Sequence, residues 1–173
     1  MRFNMKGLRS SLVFGIAAIL AFPALACAQT TILQATDAGK ILPDAVFFGG
    51  QSANTQVRNS GGIHFADGAY TLAVLVDTSG YSTAVQQKYQ GYLLTEAPLD
   101  FSGNRLPAGA YGFGFVDNHF LVMDIGAHNL FETMSTHDSQ MPRPVPLRIL
   151  EAASPGHWRL CSGRDCVNFA RAR

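Results

Sequence analysis

Three histidines in the second half of the chain carry side chains that could bind a divalent metal ion. His119, His128 and His137 are nine residues apart, and Asp124 lies four residues before His128. Imidazole nitrogens with a carboxylate form the mixed ligand set that zinc uses in many enzymes. The spacing follows no established ligand pattern, so solvated histidines in turns are the alternative interpretation. One hypothesis is therefore a metal-dependent hydrolase built on these side chains.

Two cysteines near the end of the chain have the spacing of a hairpin disulfide. Cys161 and Cys166 enclose the turn-like sequence Ser162-Gly163-Arg164-Asp165. If the flanking segments pair as strands, the two cysteines face each other across the hairpin. A metal site needs more ligands than this pair supplies, and redox-active cysteines are normally closer in sequence. We predict a structural disulfide, which is typical of an oxidising compartment.

The first 28 residues have the pattern of an export signal. The leading segment is basic, an apolar stretch over 12–25 is too short to span a membrane, and small residues follow. This pattern predicts an exported protein that is periplasmic or extracellular. The mature chain, 29–173, is expected to be a single β-rich domain without an integral membrane span.

The position of signal cleavage decides what happens to a third cysteine. Cleavage after Ala28 removes Cys27, whereas cleavage after Ala26 leaves Cys27 as the first residue and makes a lipid anchor conceivable. A lipid-attachment motif needs a leucine-like residue three positions before the cysteine, and Ala24 stands there. Free diffusion of the mature domain is therefore the favoured interpretation over lipidation.

Removal of the leader changes the charge of the protein. The full chain has a formal net charge of +1, whereas residues 29–173 contain 10 basic and 12 acidic residues and carry −2. The remaining basic residues are scattered singly, so no nucleic-acid partner is expected. No Gly-x-Ser-x-Gly elbow, phosphate loop or dinucleotide motif occurs, and no cofactor is predicted.

Two places could bind a small ligand. The segment 49–62 is polar and is predicted to be a long loop, with candidate binding residues Gln51, Arg58 and Asn59. In the predicted strand 110–116, bulky rings alternate with Gly112 and Gly114, which leaves one face bare. Either a neighbouring ring such as Phe120 or Tyr92 covers that face, or a ligand does. A concave space between the loop and the glycine face would favour binding, and a filled one would favour a structural role.

Short apolar or alternating runs separated by turn residues predict an all-β fold. We expect a compact antiparallel sandwich or barrel of about 8–10 strands, with one short helix near 82–89 where Ser82 can cap. The alternating Pro142, Pro144 and Pro146 favour an extended chain at a protected sheet edge. The predicted strands are 30–34, 45–48, 63–65, 69–76, 91–95, 110–116, 120–125, 145–150, 157–160 and 166–169.

Three stretches of the mature chain carry a resemblance to small exported bacterial β-rich proteins of unassigned function. They are 58–62 (Arg-Asn-Ser-Gly-Gly), 88–92 (Lys-Tyr-Gln-Gly-Tyr) and 107–115 (Pro-Ala-Gly-Ala-Tyr-Gly-Phe-Gly-Phe). The resemblance implies an exported β domain and brings no activity or catalytic residue with it.

Three functions fit these observations. The first is an exported binding or accessory module for an unknown small ligand or envelope protein, favoured by the β architecture and the polar segments. The second is the metal-dependent hydrolase that uses His119, His128 or His137. The third is a structural subunit of a cell-envelope assembly. The absence of a catalytic motif makes an enzyme the less favoured class.

Overall fold

The computed structural model describes residues 29–172, which fold into two antiparallel sheets packed face to face. This confirms the predicted all-β sandwich, and neither sheet closes into a barrel. The predicted signal peptide and Cys27 lie outside the described residues. None of the helices in the described part is long and apolar enough to cross a membrane.

Fourteen strands and two short helices follow one another along the described residues. In chain order they are β1 (Thr31–Leu33), α1 (Ala35–Ala38), β2 (Ala45–Phe48), β3 (Gln51–His64), β4 (Tyr70–Val76), α2 (Thr83–Gln86), β5 (Gly91–Thr95), β6 (Leu99–Phe101), β7 (Asn104–Leu106), β8 (Gly109–Val116), β9 (His119–Met123), β10 (Asn129–Met134), β11 (Thr136–His137), β12 (Val145–Glu151), β13 (His157–Gly163) and β14 (Asp165–Arg171).

The larger sheet has the order β1-β3-β4-β5-β8-β9-β10, and β2 adds a further pairing to β3. The smaller sheet has the order β12-β13-β14-β6-β7, and β11 also pairs with β14. Strand β3 is the longest element because its first half pairs with β2 and its second half with β1, while β4 runs along both halves. The two sheets come closest where β3 passes β12.

The larger sheet is covered on both of its faces. Its inner face meets the smaller sheet in an aromatic-rich core that includes Phe101, Phe113, Phe120 and Phe169. Its outer face is covered by the β2–β3 hairpin, α1 and the segment around α2. Burial on two faces explains why β4 and β5 have almost continuous apolar sequences rather than a strict alternation.

Two details of the sequence-based prediction are wrong. The segment 49–62 is not a long loop: Gly49 and Gly50 form a tight turn with φ of 57° and 85°, and β3 begins at Gln51. The number of strands exceeds the expected 8–10 because β6, β7, β10 and β11 were not predicted. The one helix expected, near 82–89, is present as α2, a single turn whose Ser82 side chain makes no capping hydrogen bond. The second short helix, α1, was not predicted.

The predicted disulfide is present. Cys161 and Cys166 are directly opposite in the β13–β14 hairpin, and their sulfurs are 2.09 Å apart. The hairpin loop is Gly163-Arg164, and Gly163 has the positive φ, 60°, that such a two-residue turn needs. Both cysteines are fully buried beside Met141 and Leu150.

Replacing both cysteines with serine should lower the free energy of unfolding by about 2 kcal/mol, because the bond closes only a short loop. The domain should remain folded, since the aromatic core between the sheets does not involve the two sulfurs. Urea unfolding of the wild type and of the C161S/C166S protein measures the difference. Complete unfolding of the variant in buffer would contradict this prediction and would show that the disulfide is needed for the stability of the whole domain.

Candidate functional site

The three candidate metal-binding histidines do not come together. His119 begins β9, whereas His128 follows the turn at the other end of that strand. His137 lies on β11 in the other sheet, and its Nδ1 is 2.7 Å from a carboxylate oxygen of Asp165. Residues 29–172 contain no group of three or more His, Cys, Asp or Glu side chains that could hold a metal ion. The geometry therefore gives the metal-dependent hydrolase no support.

Asp124, the fourth candidate ligand, shapes a turn. Its carboxylate accepts a hydrogen bond from the backbone N–H of His128 at 2.9 Å and lies 3.1 Å from the Nδ1 atom of that histidine. The backbone hydrogen bond is the main reason why the pKa of Asp124 lies below its usual value. A carboxylate with these contacts closes the β9–β10 connection.

The face of Gly112 and Gly114 is filled by the protein itself. A Cβ atom built on Gly112 would overlap the ring of Phe48, and one on Gly114 would overlap the backbone carbonyl of Lys88. The covering ring is thus Phe48, from β2, rather than Phe120 or Tyr92. Both glycines are buried, so their visible role is to let the outer layer approach β8 closely.

Gln51 lies apart from the other two polar candidates. Its side-chain amide donates to the carbonyl of Gly80 at 3.1 Å, which ties the β2–β3 turn to the segment before α2. Arg58 is seven residues further along β3, a separation of about 23 Å in an extended strand. The sequence therefore predicted five binding residues that the fold distributes over three places.

Arg58 and Asn59 lie in a bulge of β3. Gln56 pairs with Leu75 and Ser60 pairs with Val74, so residues 57–59 have no partner on β4. Hydrogen bonds within the bulge fix its shape: Asn59 Nδ2 donates to Gln56 Oε1 at 2.9 Å, and Ser60 Oγ donates to the carbonyl of Val57 at 2.6 Å. An insertion of this kind bends the strand and redirects its side chains.

A cleft of about 280 Å³ opens beside the bulge. It lies where β1, the start of α1, the bulge of β3 and the edge strand β12 meet. Apolar groups form much of its wall, and no Asp or Glu side chain lines it. Its lining consists of Leu33, Gln34, Ala35, Arg58, Asn59, Ser60, Gly61, Val145, Pro146, Leu147, Arg148 and Ile149.

Arg58 brings an uncompensated positive charge to this cleft. The side chain is exposed, and among residues 29–172 it has neither a hydrogen-bond partner nor an ion-pair partner. It also lines a second cleft, of about 390 Å³, on the side of α1. A guanidinium group has five N–H donors in a planar fork that matches a carboxylate. The bulge thus presents a donor group for which the described chain supplies no acceptor.

Arg148, which also lines the cleft, is a second arginine without a counter-charge. It stands on β12 between the buried Leu147 and Ile149. Its Nε atom is buried and has no hydrogen-bond partner in the described part of the chain. A buried donor without a partner costs about 1–3 kcal/mol. Arg148 therefore adds to the unmatched positive charge on this side of the molecule.

Gly61 explains how the two arginine-bearing strands can be neighbours. A Cβ atom on Gly61 would lie only 3.2 Å from the backbone nitrogen of Ile149 and 3.6 Å from the Cα of Arg148. The backbones of β3 and β12 therefore pass each other directly next to the bulge. A larger residue at this position would crowd the backbone of β12.

Two larger clefts, of about 510 and 500 Å³, lie on either side of His157. The arginine Arg171 lines the cleft of about 500 Å³ and is paired: it donates to Asp67 at 2.6 Å and lies over the ring of Phe65. The hydrogen bond from Arg171 holds the pKa of Asp67 below its usual value. Arg171 therefore has an acidic partner, whereas Arg58 has none among residues 29–172.

Sequence reasoning identified Arg58 and Asn59 but not the β12 side of the cleft. Of the three alternating prolines, Pro146 lies in the edge strand β12 as predicted, whereas Pro142 and Arg143 form a bend instead of an extended segment. Nothing local to Arg148 indicates that it lies near Arg58, because the two are 90 positions apart in sequence and meet only when the sheets pack.

Comparison with protein-family models, with curated proteins and with solved structures gives no match.

Proposed function

We propose that this chain is an exported binding module that holds a small carboxylate ligand at Arg58. The observation that carries the proposal is the bulge of β3, which presents an unpartnered guanidinium group at a cleft without any acidic residue. Export is supported by the leader pattern and by the buried disulfide.

The walls of the cleft favour an organic anion over a simple inorganic one. Leu33, Val145 and Leu147 offer apolar contact to a hydrocarbon part, while Arg58 offers a bidentate contact to a carboxylate. Asn59 also lines the cleft, but one of its amide protons is already donated to Gln56. A short fatty acid anion combines the two required features, so hexanoate is a suitable probe.

Hexanoate should bind the wild-type protein with a dissociation constant on the order of 1 mM, as expected for a ligand of this size. Replacing Arg58 with glutamine should weaken binding at least about 10-fold, because a charge-assisted hydrogen bond is lost. R58K should weaken binding as well, since an ammonium group cannot form the planar double contact. Isothermal titration calorimetry at low salt measures all three affinities.

Arg143 provides a matched control. It is exposed and does not line the cleft, so R143Q removes the same charge without touching the site. Neither R58Q nor R143Q should change the free energy of unfolding by more than about 0.5 kcal/mol, because both side chains are exposed. Equal binding by R58Q and wild type, or no binding of hexanoate by the wild type, would contradict the proposal. Binding of phosphate in place of hexanoate would show that the hydrocarbon part plays no role.

A further inference from the structure

The last strand of the larger sheet has an open edge. β10 pairs with β9 on one side, and no other strand of the described chain pairs with its second side. It is six residues long and contains no proline. Three of the other edges are short or blocked, since β1 and β7 have three residues each and β12 contains Pro146 and lies against β3. The edge strand β2 has four residues, which makes β10 the longer of the two remaining edges of the larger sheet.

The hydrogen-bond pattern shows which backbone groups point outward. The N–H of Ser135 donates to the carbonyl of Asn118 at 2.8 Å, just beyond the pair formed by Met134 and His119. Because hydrogen-bonded and non-hydrogen-bonded pairs alternate in an antiparallel ladder, the N–H and C=O groups of Glu132 and Met134 are directed away from β9. These groups are available to another strand.

The side chains of β10 favour a protein partner over solvent. Leu130 is 48% exposed and Met134 is 66% exposed, and they flank Glu132. On the opposite face, Phe131 packs against the core between the sheets. A strand that exposes two large apolar side chains next to free backbone groups has the features of a pairing edge.

Charges at this edge are arranged so that a second copy complements the first. Lys88 Nζ donates to Asn129 Oδ1 at 3.2 Å, which places the ammonium group at the beginning of β10. Glu132 lies further along the strand, on the same face as Asn129. Their partners on β9, Leu121 and Met123, both belong to the outer core, and partners on neighbouring strands share a face. Neither Lys88 nor Glu132 has an ion-pair partner among residues 29–172. An antiparallel copy would bring the positive end of each strand towards Glu132 of the other.

We propose that β10 pairs with β10 of a second copy of this chain, which joins two larger sheets into one continuous sheet. A two-fold axis near Phe131 brings Glu132 of each copy towards the Asn129 that Lys88 contacts in the other copy. The register with Glu132 opposite itself is disfavoured, because it sets two like charges side by side. A pair of six-residue strands buries less area than the roughly 1,600 Å² of stable interfaces, so the dissociation constant should be on the order of 10–100 μM.

A charge exchange tests the proposal. Sedimentation equilibrium of the mature chain should show a monomer–dimer equilibrium in this range. E132K and K88E should each weaken the dimer about 10-fold, because both symmetry-related ion pairs become repulsive. The double variant K88E/E132K exchanges the two charges and should restore the dimer.

Glu151 offers a matched control, because it is an exposed glutamate near the end of β12 and E151K makes the same charge change away from β10. A protein that stays monomeric up to about 1 mM overturns the proposal, as does a dimer that neither single variant weakens. Failure of the double variant to restore association overturns the register and with it the proposed edge contact. These outcomes are independent of hexanoate binding, since β10 does not line the cleft at Arg58.

Discussion

Replacing Phe48 with alanine should lower the free energy of unfolding by about 4 kcal/mol, the range found when a large buried ring is removed. Phe48 is fully buried, its ring stacks on that of Tyr89 with centroids 3.7 Å apart, and it covers the Cα of Gly112. Its removal leaves a cavity between β2 and β8 that neither the rigid strand nor the stacked ring can fill. Urea unfolding followed by fluorescence measures the loss.

Phe47, its neighbour, is the matched control. It faces solvent with 56% of its surface exposed, so F47A removes the same ring without opening a cavity. The effect of F47A should stay below about 1 kcal/mol. Similar effects of the two substitutions would mean that Phe48 is not the residue that closes the outer core.

Replacing Gly114 with alanine should destabilise the domain by about 3 kcal/mol, because the added methyl group meets the backbone carbonyl of Lys88. A backbone group cannot move aside as a flexible side chain can, so the segment that carries α2 must shift as a whole. G80A is the control, since a Cβ atom on Gly80 has nothing within 4 Å and its effect should stay within about 1 kcal/mol.

The same pair of variants separates the two interpretations of the glycine face. If the glycines serve close packing, G114A loses stability and any loss of ligand binding follows from that. A G114A protein with wild-type stability would contradict the packing seen here and would revive the ligand interpretation. Thermal and urea unfolding of both variants, under identical conditions, give the answer.

Much of the fold follows from local patterns. Gly91–Thr95 and Ala45–Phe48 have the predicted bounds, and the Cys161–Cys166 hairpin follows from two cysteines around a glycine-containing turn. In these segments the residues that favour a strand are the same ones that bury its side chains. Local preference and tertiary packing therefore agree, which makes local patterns sufficient.

Strand β3 could not be predicted in this way. The first half of β3 is polar and resembles a loop, and what holds it extended is hydrogen bonding to β2 on one side and β4 on the other. Pairing of this kind depends on partners that are distant in the chain, so hydrophobic periodicity does not reveal it. β10 was missed for a related reason: the irregularity between Asn129 and Phe131 interrupts the alternation of apolar and polar residues.

The candidate site was predictable only in part, again for a physical reason. The sequence shows that Arg58 lies in a polar segment. It does not show that the guanidinium group lacks a partner or that β12 forms the other wall of the cleft, and these two features make Arg58 a candidate binding residue. The histidines are the opposite case. Their regular spacing in sequence led to the prediction of a shared metal site, but the fold places His119 and His128 at opposite ends of β9. Sequence spacing constrains distance only within one element.

The bulge of β3 contains residues that the pairing of β3 with β4 does not use. The β3–β4 ladder is paired on both sides of residues 57–59 with a shift of register across them, so Arg58 and Asn59 occupy no position in the ladder. Val57, by contrast, packs against the outer core. Exchange of Arg58 and Asn59 therefore changes the chemistry of the cleft while the paired positions on both sides keep their partners.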